Sequence, residues 1–406
     1  MKKHLFPAFL FFLCSYSLIA QEWEQVSSLP SQFDNTHHSF GFSLNGMGYL
    51  TTGSSPNGER NDFYQYDPIE DEWTALDDFP GEARSFAIGD IWDGKAYFGF
   101  GFGDSGDELR DFWVFDPEDM SWTELEACPC PGRLHPAMIA HNDKVFMGMG
   151  NNSGGNRNDW WEYDIETNTW SEKPNFPALP RHHPFQFGIG DYVYTGLGHG
   201  NGFISDRWYR YDPITEDWEE MTSLPAEGRV AGTQFSLNGI GYVLSGDGED
   251  HMTMEEGEFW SYDPLLDEWD QLPSHPSVSR WAPSSFVIDG EVYIINGQSL
   301  IGNGYQYVSS VYKFRLEEST PSSVEDLEEF SFNAFPNPFS NEIQLEWDRN
   351  FDINDATISV YNIYGQMVFE TEELTNSLDL SKLQNGWLRI ELKNSDKTLS
   401  KSVLKQ

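Results

Sequence analysis

The stretch YDPITEDW, Tyr211–Trp218, decides the architecture because the chain repeats it. YDPIEDEW (66–73), FDPEDMSW (115–122), YDIETNTW (163–170) and YDPLLDEW (262–269) are copies, with Trp73, Trp122, Trp170, Trp218 and Trp269 spaced 49, 48, 48 and 51 residues apart. A period near 50 is the mark of a repeat architecture, and it fixes the unit that must be explained. In the copy spanning 84–125, RSFAIGDIW and KAYFGF read as aromatic strands joined by the tight WDGK turn. A Gly- and Asp-rich loop, GFGDSGDELR, leads to the strand DFWVF; Asp116–Pro117 makes a turn, and SWTEL is the fourth strand. Four antiparallel strands per repeat predict a blade of a β-propeller. The Tyr and Trp of the motif are expected to bury flat surfaces between neighbouring blades, which makes the motif architecture rather than chemistry.

Trp23 lies 50 residues before Trp73 with no three strands ahead of it, while residues 281–316 supply three strands without a fourth. The N-terminal EWEQV is therefore expected to complete the last blade, giving six blades over residues 21–318 and a ring without open sheet edges. This pattern resembles the kelch family, which includes sialic-acid mutarotases, the central domain of galactose oxidase and substrate adaptors. One departure is that the family's Gly-Gly at the end of the second strand reads Gly99-Phe100-Gly101, Gly148-Met149-Gly150 and Gly196-Leu197-Gly198.

Around this unit the chain carries two segments of different character. Residues 1–20, MKKHLFPAFLFFLCSYSLIA, combine a basic start, an apolar run and a small final residue, as a secretory signal peptide does; the run is too short for a permanent anchor. Residues 319–331 form a Ser-, Pro- and acid-containing linker, and 332–406 alternate apolar and polar residues as a small Ig-like β-sandwich would. Pro336-Asn337-Pro338, VYNIYGQMV (360–368), LQNGWLRI (383–390) and the terminal Lys397, Lys401 and Lys405 resemble the type A sorting domain of type IX secretion substrates. That resemblance implies the type IX machinery as a partner and a secreted or outer-surface location.

A net charge of −42 argues against nucleic-acid phosphates as partners. Beyond the signal only Cys128 and Cys130 remain, enough for one local disulfide but not for a thiolate zinc site. Galactose-oxidase chemistry, which the family comparison raises, needs copper and a Tyr–Cys crosslink that a lone CPC loop does not suit.

The candidate site is the channel mouth on the face that carries the long loops. Eleven positions after each blade tryptophan stand Arg84, Arg133, Arg181, Arg229 and Arg280, with Asp34 eleven positions after Trp23. Five guanidiniums around one channel repel one another by roughly 0.5 kcal/mol per pair at about 8 Å in water. Either local carbonyls and carboxylates offset that repulsion, or the ring holds an acidic ligand through bidentate bonds. In kelch adaptors arginines near this mouth grip acidic peptides, so the resemblance implies an acidic glycan, sugar or peptide. His37, His38, His135, His182, His183 and His199 lie nearby; spread over three blades, they read as surface polar residues rather than metal ligands. No cofactor is expected, Ca²⁺ on the acid-rich loop 246–258 being the one cation considered. The leading expectation is a binding module. A mutarotase- or epimerase-like enzyme using Glu82, Glu227 or Asp34 as acid or base is the alternative, and an interaction scaffold is the third.

Overall fold

A computed structural model describes residues 22–316 apart from 31, 32, 34 and 303. It also describes 332–405 apart from 337–338, 348–355, 363–366, 372–373, 384 and 395–397. The signal segment, Asp34 and the linker 319–331 lie outside the described residues. The chain divides into two compact units, residues 1–318 and 319–406.

In the first unit every repeat folds as a four-stranded antiparallel meander, and six of these blades form the propeller. Blade 1 comprises Phe40–Leu44, Met47–Ser55, Gly58–Asp67 and Glu72–Ala75; blade 3 comprises Ala137–His141, Lys144–Gly148, Trp160–Asp164 and Thr169–Lys173. Blade 6 has Ser284–Ile288, Glu291–Ile295 and Val311–Arg315 from the C-terminal side. Its outer strand is Glu24–Val26 from the N-terminus, paired with Val311–Lys313. The N-terminal strand and the last three propeller strands thus share one sheet, which closes the ring.

The repeated motif does two jobs. Its Asp accepts backbone N–H bonds from the turn it opens, as Asp67 does from Ile69 at 2.8 Å and Asp212 from Ile214 at 2.8 Å. Its aromatics pack onto the preceding blade: Tyr211 and Trp218 meet Trp160, and Tyr262 and Trp269 meet Trp208, with ring centroids 5.1–6.1 Å apart. The indole N–H groups cross the same seams, from Trp73 to the Ser27 carbonyl, Trp170 to Glu126 and Trp269 to Thr222.

The second unit has two antiparallel sheets. One holds Phe332–Phe335, Glu342–Trp347 and Ser377–Asp379; the other holds Thr357–Asn362, Met367–Thr371, Gly386–Lys393 and Thr398–Lys405. Ile343, Leu345, Ile358, Val360, Ile390 and Val403 form its buried core. The alternation read in the tail is therefore that of a β-sandwich, each strand turning one face inward.

Candidate functional site

The channel mouth is built by one three-residue segment repeated in each blade just before its inner strand. Its third residue is left-handed in all six: His38, Phe86, His135, His183, Ala231 and Ala282, with φ between 49° and 59°. These residues are linked blade to blade by backbone bonds, His38 N–H to the Ala282 carbonyl, His135 to Phe86, His183 to His135 and Ala282 to Ala231. The middle residue pairs with the start of the long loop, as in His37 with Ser54, Leu134 with Asn151 and His182 with His199. The inner strands that follow surround a cavity of about 640 Å³, lined by Phe40, Phe42, Asp90, Met138, His141 and Phe235 among others.

The first residue of the segment is the register arginine, and of the two arrangements the sequence leaves open the geometry favours local pairing. Arg84, Arg133, Arg181, Arg229 and Arg280 are buried, none more than 2 % exposed. Arg84 grips Asp111 through two bonds of 2.6 Å, Arg133 grips Asp159 at 2.7 Å, and Arg229 reaches Glu258 at 2.7 Å. A further N–H from Arg84, Arg133, Arg181 and Arg280 goes to the carbonyls of Phe100, Met149, Leu197 and Asn296, which end the second strands. Bidentate pairing at Arg84 and Arg133, and carbonyl capture at Arg84, Arg133, Arg181 and Arg280, offset the mutual repulsion locally. Arg229 has its one bond to Glu258, and its Nε and Nη1 are buried without a partner. Blade 4, residues 185–221, places Arg207 where blade 2, residues 88–125, and blade 3 have Asp111 and Asp159. Arg181 there relies on carbonyls and on the faces of Phe176 and Phe203, at 5.0 and 5.4 Å. Burial pulls the Arg181 and Arg280 guanidiniums down to about 10. In blade 1 the position that opens the segment is Thr36, two residues before His38, rather than Asp34, because the lead-in from Trp23 is two residues longer.

The altered Gly-Gly signature has a structural reason. Phe100-Gly101 and Leu197-Gly198 are consecutive left-handed residues, and a Cβ on either glycine would lie 2.4 Å from the Ser85 carbonyl or 2.6 Å from that of His182. The second glycine is obligatory; the first position tolerates a side chain, and its carbonyl faces the arginine.

The histidines do the reverse of what their sequence spread suggests: they converge. His38 Nε2 lies 2.9 Å from His183 Nε2, and His37 Nδ1 lies 2.7 Å from His38 Nδ1. The His135 and His183 rings are 3.5 Å apart by centroid, and His182 and His199 are 3.7 Å apart. His135 Nδ1 donates to Asn151 Oδ1 at 3.0 Å and His182 Nδ1 donates to Asn156 Oδ1 at 2.8 Å. Burial, reinforced by the neighbouring imidazoles, holds His38, His135 and His183 well below 6.5. Burial alone brings His37 to about 4. Phe86, Trp281 and Tyr307 pack against these rings at 4.4–5.5 Å. Three of the six left-handed ring positions are histidine, a signal that reading backwards from each inner strand exposes.

The remaining candidates serve the loops. Glu82 accepts the Ser105 N–H at 2.7 Å, and those bonds hold it below the usual carboxylate range; Glu227 accepts the Glu249 N–H at 3.2 Å. In loop 246–258 Asp247 is buried, which raises it to about 6, and it takes a 3.1 Å bond from the Tyr305 hydroxyl. Among the described residues, the two groups of three ligand atoms within 4.8 Å of one another are both histidine trios. Cys128 and Cys130 form a buried disulfide.

Residues 49–301 match the Attractin/LZTR1 beta-propeller family, and the chain belongs to it. Residues 333–406 match the secretion system C-terminal sorting domain, which indicates type IX export to the cell surface or beyond. No curated protein matches the chain. No helix among the described residues is long and apolar enough to cross a membrane.

Proposed function

We propose that this exported propeller is a recognition module that takes its ligand at the loop-bearing channel mouth, and that the ligand is a neutral glycan or peptide segment rather than an acidic one. The observation that carries this reading is the composition of the mouth. Flat imidazole and aromatic surfaces, His37, His38, Phe86, Trp281 and Tyr307, gather around the axis. The arginines that would attract an acid are committed inside the blades. Carboxylates of Glu82, Glu108 and Glu249 belong to the surrounding segments and loops, which disfavours a polyanion further. Rings of this kind stack against sugar faces and apolar side chains, with a few polar groups fixing orientation. A mutarotase-like reading finds no support in Glu82 or Glu227, since each is bonded to a loop amide.

The test is binding of the purified protein to arrays of neutral and acidic glycans and to peptide libraries, with Trp281→Ala and Ile214→Asp as variants. Ile214 is 78 % exposed at the tip of the blade 4 motif turn. Saturable binding to a neutral ligand that falls at least tenfold in Trp281→Ala and persists in Ile214→Asp supports the reading. Preference for acidic ligands, or loss in Ile214→Asp alone, contradicts it.

A further inference from the structure

The geometry points to a transition-metal centre at the channel mouth, with His38, His135 and His183 holding a late first-row divalent cation of the zinc and copper type. One ring nitrogen from each lies within 4.8 Å of the others. Two nitrogens bound tetrahedrally at about 2.0–2.1 Å lie roughly 3.3 Å apart, and the His38 and His183 Nε2 atoms are already at 2.9 Å.

Three observations single out this cluster. The first is the His135 tautomer: Asn151 Oδ1 accepts from Nδ1, so Nε2 bears a bare lone pair. Metal-binding histidines are oriented in this way by a second partner on the ring nitrogen that does not bind. The second is that His135 Nε2 and His183 Nδ1 are buried side-chain atoms without a hydrogen-bond partner, an expensive state for a polar atom. A cation relieves His135 directly, because its lone pair then has an acceptor. The third is backbone placement. All three residues occupy the left-handed ring position of their blades, tied by the bonds His183 N–H to the His135 carbonyl and His38 N–H to the Ala282 carbonyl. The ligands therefore sit on a rigid frame rather than on loop tips.

The donor set selects the ion. Imidazole nitrogens suit zinc, copper and nickel, whereas calcium and magnesium require oxygen ligands. Three protein nitrogens leave a coordination position for water or a ligand atom. The inference does not depend on which glycan or peptide the mouth accepts, and glycan-array results leave it untouched.

The test uses the full chain purified without a histidine tag, stripped with EDTA and titrated with ZnCl₂ or CuCl₂ at pH 7.5, with CaCl₂ and MgCl₂ alongside. The expected result is one zinc per chain, bound at least 100-fold more tightly than calcium. His38→Asn and His135→Asn keep a residue that tolerates positive φ, and each is expected to weaken zinc at least 100-fold. Asn151→Ala, which removes only the partner of His135, is expected to cost 10- to 100-fold. Electron paramagnetic resonance of the unaltered protein with one Cu²⁺ is expected to show coupling to several imidazole nitrogens. This readout stands even if the variants fold poorly. Calcium-competed binding, copper without nitrogen coupling, or unchanged zinc affinity in both His38→Asn and His135→Asn overturns the assignment. The last result would transfer the metal to the trio His182, His183 and His199.

Discussion

Both oxygens of Asp159 are held at 2.7 Å by the two terminal nitrogens of Arg133, a guanidinium with no solvent exposure. Removing Arg133 leaves the Asp159 carboxylate, 22 % exposed, without its cation; solvent at that carboxylate brings the cost to the lower end of the about 3–5 kcal/mol of a fully buried pair. Arg133→Met is therefore expected to lower stability by that order, measured by urea unfolding. Arg181→Met should cost clearly less, because Arg207 stands where an acid would pair it and no carboxylate is stranded. Equal losses in the two variants would contradict the structural role assigned to the acid partners.

A second contrast lies in the repeat motif. The Tyr66 hydroxyl donates at 2.6 Å to Asp71, which also takes the Ser27 N–H across the blade seam. Tyr262 and Asp267 repeat this with Thr222, whereas in blade 4 the motif has Glu216 instead of Asp and the Tyr211 hydroxyl is buried without a partner. Tyr66→Phe is expected to cost about 1–2 kcal/mol, and Tyr211→Phe to be neutral or stabilising. Thermal melts of the two variants would show whether the loss follows the hydrogen bond or merely the ring.

Gly198, at φ +70°, would place a Cβ 2.6 Å from the His182 carbonyl. Gly198→Ala is expected to cost at least about 2 kcal/mol through strain and to disturb the neighbouring histidines. Gly239, also at positive φ but with open space around it, should tolerate alanine better. Denaturant midpoints distinguish the two.

The histidine cluster sets a pH dependence. His37 and His182 are lowered to about 4 and His199 to about 3, against 6.5 in the unfolded chain, with His38, His135 and His183 also lowered. As pH falls below 6.5 the unfolded chain takes up protons that the folded chain refuses. Stability is thus lost from pH 6.5 downward, until the folded pKa values are reached. Burial raises Asp90 to about 7 and Asp247 to about 6, and these two act in the opposite sense, but they are outnumbered. The melting temperature is expected to drop between pH 7 and 5, and less steeply in His135→Asn. A flat or rising profile would contradict a neutral, partly buried cluster.

How much of this the sequence discloses depends on the range of the interaction. The blades follow from Trp73, Trp122, Trp170, Trp218 and Trp269 because strand alternation and turn chemistry are local and repeat at one spacing. The arginine register is equally visible, yet its meaning is not. Asp111 lies 27 residues from Arg84 and Asp159 lies 26 from Arg133, and only the closed blade brings them together. His38 and His183 are 145 residues apart and meet only when the ring closes, so their spread reads as dispersal until the channel axis is known. Counting from Trp23 also misplaces blade 1, because the lead-in from the N-terminal strand is longer there by two residues.

The most direct test of the account is crystallographic. Crystals of the protein exposed to zinc and measured on both sides of the zinc absorption edge should show one strong anomalous peak at about 2.0–2.1 Å from nitrogens of His38, His135 and His183. Arg84, Arg133 and Arg229 should remain locked to their carboxylates in the same map. A peak held only by loop carboxylates, or guanidiniums turned into the channel, would contradict it.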